Sequence, residues 1–220
     1  MREPGLNPTL KVTEIFHSTA GETRFIGLPA VFIRLCGCPL RCRWCDTAYA
    51  YTEGEERTVG EVIAQVEGFG VGRVVVTGGE PLMQPACHDL LGALCNKGMQ
   101  VLLETSGALS VQAVDPRVHI IMDYKPPSSG MTDRMLAGNL DLLREKDELK
   151  LVVADEADYE FMRALLARAR GRLKAPVVMQ PAFGSIEPRT LVEWILRDRL
   201  DVRFLLQLHK IIWPPETQGV

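Results

Sequence analysis

The feature that most constrains this 220-residue sequence is a repeated alternation of short apolar segments with longer amphipathic ones. The short segments are rich in Val, Ile and Leu and are apolar on both faces, which is typical of strands in a parallel sheet covered by helices. Segments 58–69 and 159–170 instead place their apolar residues on one face of a helix. The sequence therefore predicts an α/β fold in which β-α units curl toward a partial (β/α) barrel. The predicted strands are residues 11–16, 30–35, 73–77, 100–104, 119–123, 148–153, 177–180 and 202–208.

Composition limits the class of protein. A chain with 46% hydrophobic and 24% charged residues can bury one sizeable core, so we expect a single domain over residues 1–220. The sequence has no apolar run of about eighteen residues and no secretory signal at its start, which favours a cytoplasmic protein without membrane contact. A formal charge of -3, with no long block of Lys or Arg, argues against nucleic-acid binding and favours a small or acidic substrate.

Polar and glycine-rich motifs follow four of the predicted strands. They are residues 36–47 (CGCPLRCRWCDT), 78–81 (GGEP), 104–107 (ETSG) and 123–127 (DYKPP). Parallel α/β folds gather their active sites at the carboxyl ends of strands, so we expect these motifs to meet at one site.

The cysteine loop is the strongest chemical signal. Cys38, Cys42 and Cys45 are spaced to hold three corners of a 4Fe-4S cube, and the fourth iron then lacks a protein ligand and can bind another molecule. The alternative is a structural zinc site with Cys36 as fourth ligand. Without a secretory signal, either metal site is favoured over disulfides. Two further cysteines lie in a helical-looking segment and are expected to be buried helix residues, Cys87 and Cys95.

The cysteine spacing, with Trp44 before Cys45 and the motif at 78–81 after the second core strand, resembles the radical S-adenosylmethionine (SAM) superfamily. That resemblance implies a partial barrel of the radical SAM type. It also implies that the open iron chelates the amino and carboxylate groups of SAM, and that reduction releases a 5'-deoxyadenosyl radical. Glycines at 78–79 fit this role because they allow backbone to approach a ligand closely.

Further segments resemble one family within that superfamily, the 7-carboxy-7-deazaguanine synthases, often called QueE. The matching segments are residues 14–22 (EIFHSTAGE), 27–30 (GLPA), 32–35 (FIRL), 44–47 (WCDT), 104–107 (ETSG), 125–131 (KPPSSGM) and 207–210 (QLHK). The resemblance implies conversion of 6-carboxy-5,6,7,8-tetrahydropterin to 7-carboxy-7-deazaguanine, with ring contraction and loss of ammonia, in queuosine biosynthesis. It also implies a 4Fe-4S cluster, SAM and Mg2+ as cofactors, an electron donor such as flavodoxin, and a homodimer.

The same resemblance implies roles for individual residues. The cluster ligands would be Cys38, Cys42 and Cys45, and the Mg2+ ligand would be Thr47. The residues that bind SAM would be Trp44, Cys45, Asp46, Gly79, Glu80, Asp123, Tyr124 and Lys125. The residues that bind substrate would be Thr19, Ala20, Gly21, Arg34, Thr77 and His209. The chain departs from the family at two of these positions, with Ala20 where Gln is usual and Asp123 where Ser is frequent.

Arg34 has its own physical argument. Strand alternation places it on the face opposite Ile33 and Leu35, and a buried Arg needs an anion. By resemblance that anion is the pterin carboxylate, which a guanidinium can bind with two parallel hydrogen bonds. The alternative is a structural ion pair at a sheet edge.

Other functions remain open on the sequence alone. His209 could be a structural residue at a strand end rather than a substrate contact. A glycyl-radical activating enzyme shares the cysteine loop and the GGEP motif but acts on a protein partner. A zinc-stabilised binding module would have no catalysis, and metal analysis of anaerobically purified protein would distinguish it from either radical enzyme.

Overall fold

The protein is built around one nine-stranded sheet in a computed structural model that describes residues 5–220; the first four residues of the predicted domain lie outside this range. The strands are β1 (Thr9–Thr19), β2 (Pro29–Leu35), β3 (Glu55–Thr58), β4 (Arg73–Gly78), β5 (Gln100–Thr105), β6 (His119–Tyr124), β7 (Glu148–Val153), β8 (Val177–Pro181) and β9 (Arg203–Phe204). Their order in the sheet is β3-β1-β2-β4-β5-β6-β7-β8-β9.

The sheet is parallel from β2 to β9, and β1 pairs antiparallel with both β2 and β3. The first and last strands in this order are not neighbours, so the sheet stays open. The prediction of a mixed α/β fold with a mainly parallel, incompletely closed sheet is confirmed.

The helices are α1 (Val59–Gly68), α2 (Cys87–Asn96), α3 (Glu156–Ala169), α4 (Pro188–Arg197) and α5 (His209–Ile212). Their starts follow from local chemistry. Thr58 and Glu61 form a capping box at α1, and the Asp155 side chain accepts a hydrogen bond from the backbone of Asp158 at α3. None of the helices in the described part of the chain is long and apolar enough to span a membrane.

The main core lies between α1 to α4 and the outer face of the sheet. Strand alternation sends Ile33, Leu35, Val74 and Val76 into this core, where each is fully buried. The inner face carries a smaller apolar cluster that includes Val75, near the amino ends of the strands. The carboxyl half of the inner face is left for polar groups.

Three predicted elements differ from the observed ones. The strand at 11–16 extends to Thr9–Thr19, because β1 pairs with two neighbours. The polar strand β3 was not predicted. The strand at 202–208 shortens to Arg203–Phe204, because the following residues turn away from the sheet, and His209 therefore begins α5 rather than ending a strand. Cys87 is fully buried in α2 as expected, whereas Cys95 in the same helix is only partly buried.

Candidate active site

The candidate active site is a cavity of about 670 Å³ on the inner face of the sheet. Val75, Leu102 and Ile121 belong to its apolar floor, and two residues further along each strand a polar side chain faces the same cavity. These polar groups therefore collect at the carboxyl edge of the sheet, as parallel α/β folds require. Neighbouring strands from β2 to β8 contribute the polar residues Arg34, Thr77, Glu104, Asp123, Lys150 and Gln180.

The loop after β2 carries the three predicted cluster ligands. Cys38, Cys42 and Cys45 are partly buried and all line the cavity, and burial raises the pKa of the Cys38 and Cys42 thiols. Cys36 is only 5% exposed and does not line the cavity. No three His, Cys, Asp or Glu side chains of residues 5–220 converge closely enough to hold a single ion. The three thiols instead line the same cavity, where they can serve as separate corners of a cluster.

Gly78 and Gly79 allow the cysteine loop to lie directly against β4. A Cβ atom on Gly78 would come within 2.2 Å of the Leu35 carbonyl oxygen, and one on Gly79 would come within 2.3 Å of the Gly37 oxygen and 2.7 Å of Cys38 Cβ. The backbone N–H of Gly79 donates to Leu35 at 3.1 Å. The sequence predicts that these glycines let backbone approach a ligand, and in the structure they make room for the cysteine loop.

Glu80 is fully buried, and its carboxylate holds two loops together. It accepts hydrogen bonds from Leu82 N at 3.1 Å, from Thr105 Oγ1 at 2.8 Å, and from both the backbone and the hydroxyl of Ser106. The side chain does not line the cavity. The predicted contact between Glu80 and SAM therefore remains a prediction for its backbone only.

Arg34 faces the cavity, as strand alternation predicts, and is fixed by its neighbours. Its Nε donates to Glu14 Oε1 at 2.6 Å, and Tyr49 donates its hydroxyl to the same oxygen at 2.8 Å. The guanidinium carbon lies 5.9 Å from the centre of the Phe16 ring. This ion pair is not at a sheet edge, because β2 lies between β1 and β4. Both terminal nitrogens of Arg34 are without a hydrogen-bond partner among residues 5–220 and remain available to a ligand anion.

The end of the cysteine loop is tied to other segments around the cavity. Trp44 Nε1 donates to Ser128 Oγ at 3.0 Å, and the Lys125 ammonium lies 5.3 Å from the centre of the Trp44 ring. Asp46 is paired with Lys210 at 2.9 Å. Thr47 lines the cavity, and its Oγ1 is 3.8 Å from the sulfur of Cys45.

A largely buried network of salt bridges lines the cavity around Lys150. Lys150 Nζ contacts the Glu22 carboxylate and lies 3.2 Å from Asp123 Oδ2, whereas Asp123 Oδ1 pairs with Lys125 at 3.1 Å. Burial acts to lower the pKa of Lys150, but Glu22, Asp123 and Glu104 outweigh it and raise this pKa well above its usual value. Burial raises the pKa of Glu104 even though Lys150 acts to lower it.

The segment after β9 packs against the loop after β1. Leu208 N donates to the Gly21 carbonyl at 2.9 Å, and Gln207 Nε2 donates to Glu22 at 2.8 Å. A Cβ atom on Gly21 would lie 2.2 Å from His209 Nδ1, so only glycine leaves room for the histidine ring. Burial lowers the pKa of His209. This contact places His209 beside the predicted substrate loop.

Gln180 is evidence that the cavity is built for a ligand. The side chain is 1% exposed and lines the cavity, and neither amide atom has a hydrogen-bond partner within residues 5–220. An unpaired buried amide is costly, so a polar ligand would stabilise it. Three cysteines and an unpaired buried amide line one cavity, which fits a cluster with a polar cofactor in the same site.

Most of the predicted site residues meet in this cavity. All of them line it except Glu80 and Tyr124, and Tyr124 packs into the core on the outer face of the sheet. Glu22, Glu104, Lys150 and Gln180 line it and were not predicted as site residues. For three of them, the available signal was a polar residue inside an otherwise apolar strand, the same signal that identified Arg34.

Comparison with known proteins identifies the family. Residues 32–128 match the profile of the radical SAM superfamily. The chain is 48% identical over 214 residues to a 7-carboxy-7-deazaguanine synthase from Chlorobaculum tepidum, which covers 96% of this chain and 97% of the relative. The chain belongs to the 7-carboxy-7-deazaguanine synthase family.

Two further members of the family agree with this assignment. The enzyme from Koribacter versatilis is 39% identical over 226 residues, which covers 96% of this chain and all of the relative. The crystal structure of QueE from Escherichia coli has a TM-score of 0.75 and 26% sequence identity, over 91% of this chain and 95% of that one. As a radical SAM family, the 7-carboxy-7-deazaguanine synthases use a 4Fe-4S cluster and SAM, so neither the zinc-stabilised module nor the activating enzyme is supported.

Proposed function

We propose that this protein converts 6-carboxy-5,6,7,8-tetrahydropterin to 7-carboxy-7-deazaguanine with ring contraction and loss of ammonia. One observation carries the proposal: the three cysteines line the same cavity as an arginine whose terminal nitrogens are available to an anion. The chain is up to 48% identical to enzymes that carry out this reaction by name. A radical generated at the cysteines would then be close to a substrate held by the arginine.

The cysteine end of the cavity suits the cofactor. Cys38, Cys42 and Cys45 would hold the cluster, which together with bound SAM supplies the radical that abstracts hydrogen from the substrate. The backbone at Gly79 and Glu80 would orient SAM beside the cysteine loop, which Gly79 contacts directly, and the side chain of Gln180 would supply a further polar contact to a ligand in the same cavity. Both carboxylate oxygens of Asp123 face ammonium groups, those of Lys125 and Lys150. A Ser at this position could donate a hydrogen bond to SAM, whereas Asp123 contributes a salt-bridged carboxylate.

Arg34 would bind the substrate carboxylate. Glu14 and Tyr49 fix the guanidinium through Nε and one oxygen, which leaves its terminal nitrogens pointing to the ligand. Thr77 would contact the ring system and is itself held by a hydrogen bond to Glu104 at 2.9 Å. These residues would orient the substrate within the cavity.

Thr47 would supply one ligand to a magnesium ion shared with the substrate carboxylate. Magnesium takes few protein ligands and keeps water and substrate oxygens, so a single hydroxyl on the cavity wall is sufficient. We expect Thr47→Ala to lose stimulation by added Mg2+, and Thr47→Ser to retain it. Equal magnesium stimulation of the Ala variant and the unaltered enzyme would contradict this role.

The deciding experiment is an anaerobic assay with carboxy-tetrahydropterin, SAM and a reductant. We expect 7-carboxy-7-deazaguanine and ammonia from the reconstituted enzyme and none from Cys38→Ala. A fully loaded protein that leaves the pterin unchanged would refute the proposal. We also propose that the enzyme acts in the cytoplasm as a homodimer and receives electrons from a carrier such as flavodoxin, which purified carriers and light scattering would test.

A further inference from the structure

Lys150 is a buried cation inside an apolar strand, and its ammonium lies between two carboxylates of the site. It is 9% exposed and lies on β7 with its ammonium against two carboxylates, those of Glu22 and Asp123. Glu22 follows the predicted substrate loop, and Asp123 belongs to the predicted SAM segment. A single ammonium therefore joins the two ligand-binding sides of the cavity.

The two carboxylates do not depend equally on Lys150. Asp123 has a second cation, since Lys125 Nζ lies 3.1 Å from its other oxygen. Glu22 receives its other hydrogen bond from the neutral amide of Gln207. Removing the Lys150 charge would leave Asp123 paired, but it would leave Glu22 as a buried carboxylate without a cation in contact.

We propose that Lys150 is a positioning residue that keeps Glu22 ionised and aimed into the cavity, where the carboxylate accepts N–H donors from the substrate. The amino-pyrimidinone edge of a pterin presents such donors side by side, and an ionised carboxylate is a suitable acceptor for them. The identification of these donors as the edge of a pterin rests on the proposed function, whereas the effect of Lys150 on Glu22 is independent of it.

The electrostatics around Glu22 support this role. Burial acts to raise the pKa of Glu22, but the charge and hydrogen bond of Lys150 outweigh it and hold the pKa at about 2. His209 also acts to lower this pKa, and Gln207 adds a hydrogen bond. The acids near this group are Asp46 and Glu104, which repel the charge and so increase the dependence on Lys150.

The direct test is the titration of Glu22 in the cluster-loaded protein. With 13C-labelled glutamate, the Glu22 carboxyl signal is assigned as the one lost in Glu22→Gln. We expect it to remain ionised from pH 5 to 8 in the unaltered enzyme and to titrate in that range in Lys150→Met, an upward shift of at least about 3 units, because unpaired buried carboxyls have raised pKa values. Lys150→Arg should restore the ionised state.

Binding measurements provide the second readout. We expect Lys150→Met to raise the KM for the pterin about tenfold or more, because one charge-assisted contact is lost, while the Kd for SAM changes less than about twofold. Lys97→Met, which breaks an exposed pair with Glu67, is the control and should change neither.

The outcomes are distinguishable. An unshifted Glu22 signal in a folded Lys150→Met protein would overturn the proposal, as would equal losses of SAM and pterin binding. If Lys150→Met does not fold, Lys150→Gln is measured in the same way. A wild-type enzyme that does not turn over the pterin would refute the proposed function, and the Glu22 titration would still decide the role of Lys150.

Discussion

At the residue scale, burial and side-chain direction distinguish the cysteines that can bind a cluster from Cys36, which is a structural residue of the same loop. Cys36 and Cys38 are two positions apart, yet the first is buried away from the cavity and the second lines it. Sequence spacing alone left Cys36 as a candidate fourth ligand. The structure assigns it to the protein interior, where a free Cys behaves as a small apolar residue.

This difference gives a paired prediction on cluster assembly. We expect Cys38→Ala to lose the cluster, because it removes one of three protein ligands, and Cys36→Ala to retain it. The measurement is iron and sulfide content after anaerobic reconstitution, together with the visible absorption of the cluster. Equal iron loss in both variants would show that Cys36 is a ligand.

Arg34 gives a prediction on substrate binding. We expect Arg34→Ala to raise the KM for the pterin by about tenfold or more, the range for losing a hydrogen-bonded charged partner. Arg34→Lys should rescue it poorly, because a point charge cannot form two parallel hydrogen bonds. Steady-state kinetics measures this, with Arg117→Lys as control, since Arg117 is half exposed, lies outside the cavity and interacts with Asp115, Asn96 and Gly92. An unchanged KM in Arg34→Ala would assign Arg34 to the Glu14 ion pair alone.

At the element scale, the fold could be predicted where burial decides the pattern. Strands β4 to β8 are apolar on both faces, so the sequence places them within one residue of their observed bounds. Strand β3 has no apolar run and forms because β1 extends far enough to pair with it at Thr9–Val12. Such pairing depends on the partner strand more than on the sequence of the strand itself. Strand β9 is short for the corresponding reason, because within residues 5–220 it pairs with β8 alone.

The candidate site was predictable to the extent that single motifs defined it. The cysteine loop and the GGEP motif are local in sequence, whereas the charge network joins Glu22, Asp123 and Lys150, which are about 100 and 30 residues apart. Periodicity marks Lys150 as unusual within its strand but does not identify its partners. The role of Glu80 was also hidden, because its four hydrogen-bond donors lie in two different loops.

The contact between the GGEP motif and the cysteine loop predicts the effect of one added methyl group. We expect Gly79→Ala to displace the loop and impair cluster assembly, because its Cβ would lie 2.3 Å from the Gly37 oxygen. Gly68→Ala is the control, since a Cβ there meets nothing within 4 Å and Ala favours the helix. Thermal unfolding and iron content measure both, and normal cluster loading in Gly79→Ala would show that the loop tolerates the shift.

At the scale of the whole molecule, Glu22 connects the beginning, the middle and the end of the described chain through Lys150 and Gln207. Its carboxyl has a pKa of about 2 in the folded protein, below the ordinary value of 4.5. A depressed carboxyl pKa stabilises the fold above the ordinary value, and this contribution is lost as the pH falls toward the folded-state value. For Glu22 that window runs from about pH 4.5 down to about pH 2.

We therefore expect Glu22→Gln to flatten the acid dependence of stability. The shift corresponds to on the order of 3 kcal/mol, which the unaltered protein would lose across the window and the variant would not. Urea unfolding at pH 5 and at pH 3 measures about half of this loss, because pH 3 lies inside the window. Glu160→Gln is the control, because Glu160 forms an exposed pair with Arg163 and should leave the slope unchanged. Identical slopes in Glu22→Gln and the unaltered protein would contradict the low pKa.

The docking of the segment after β9 onto the loop after β1 has a consequence for synthesis in the cell. Leu208 N binds the Gly21 carbonyl, and Lys210 pairs with Asp46, so one wall of the cavity joins residues separated by more than 160 positions. A ribosome makes the cysteine loop early, but this wall cannot close until residues near 210 have emerged. Contacts so distant in sequence form late in folding. We therefore expect the cluster to be inserted after translation has passed this segment. Before that point, the iron-sulfur carriers of the cell would meet a cysteine loop whose surrounding wall is incomplete.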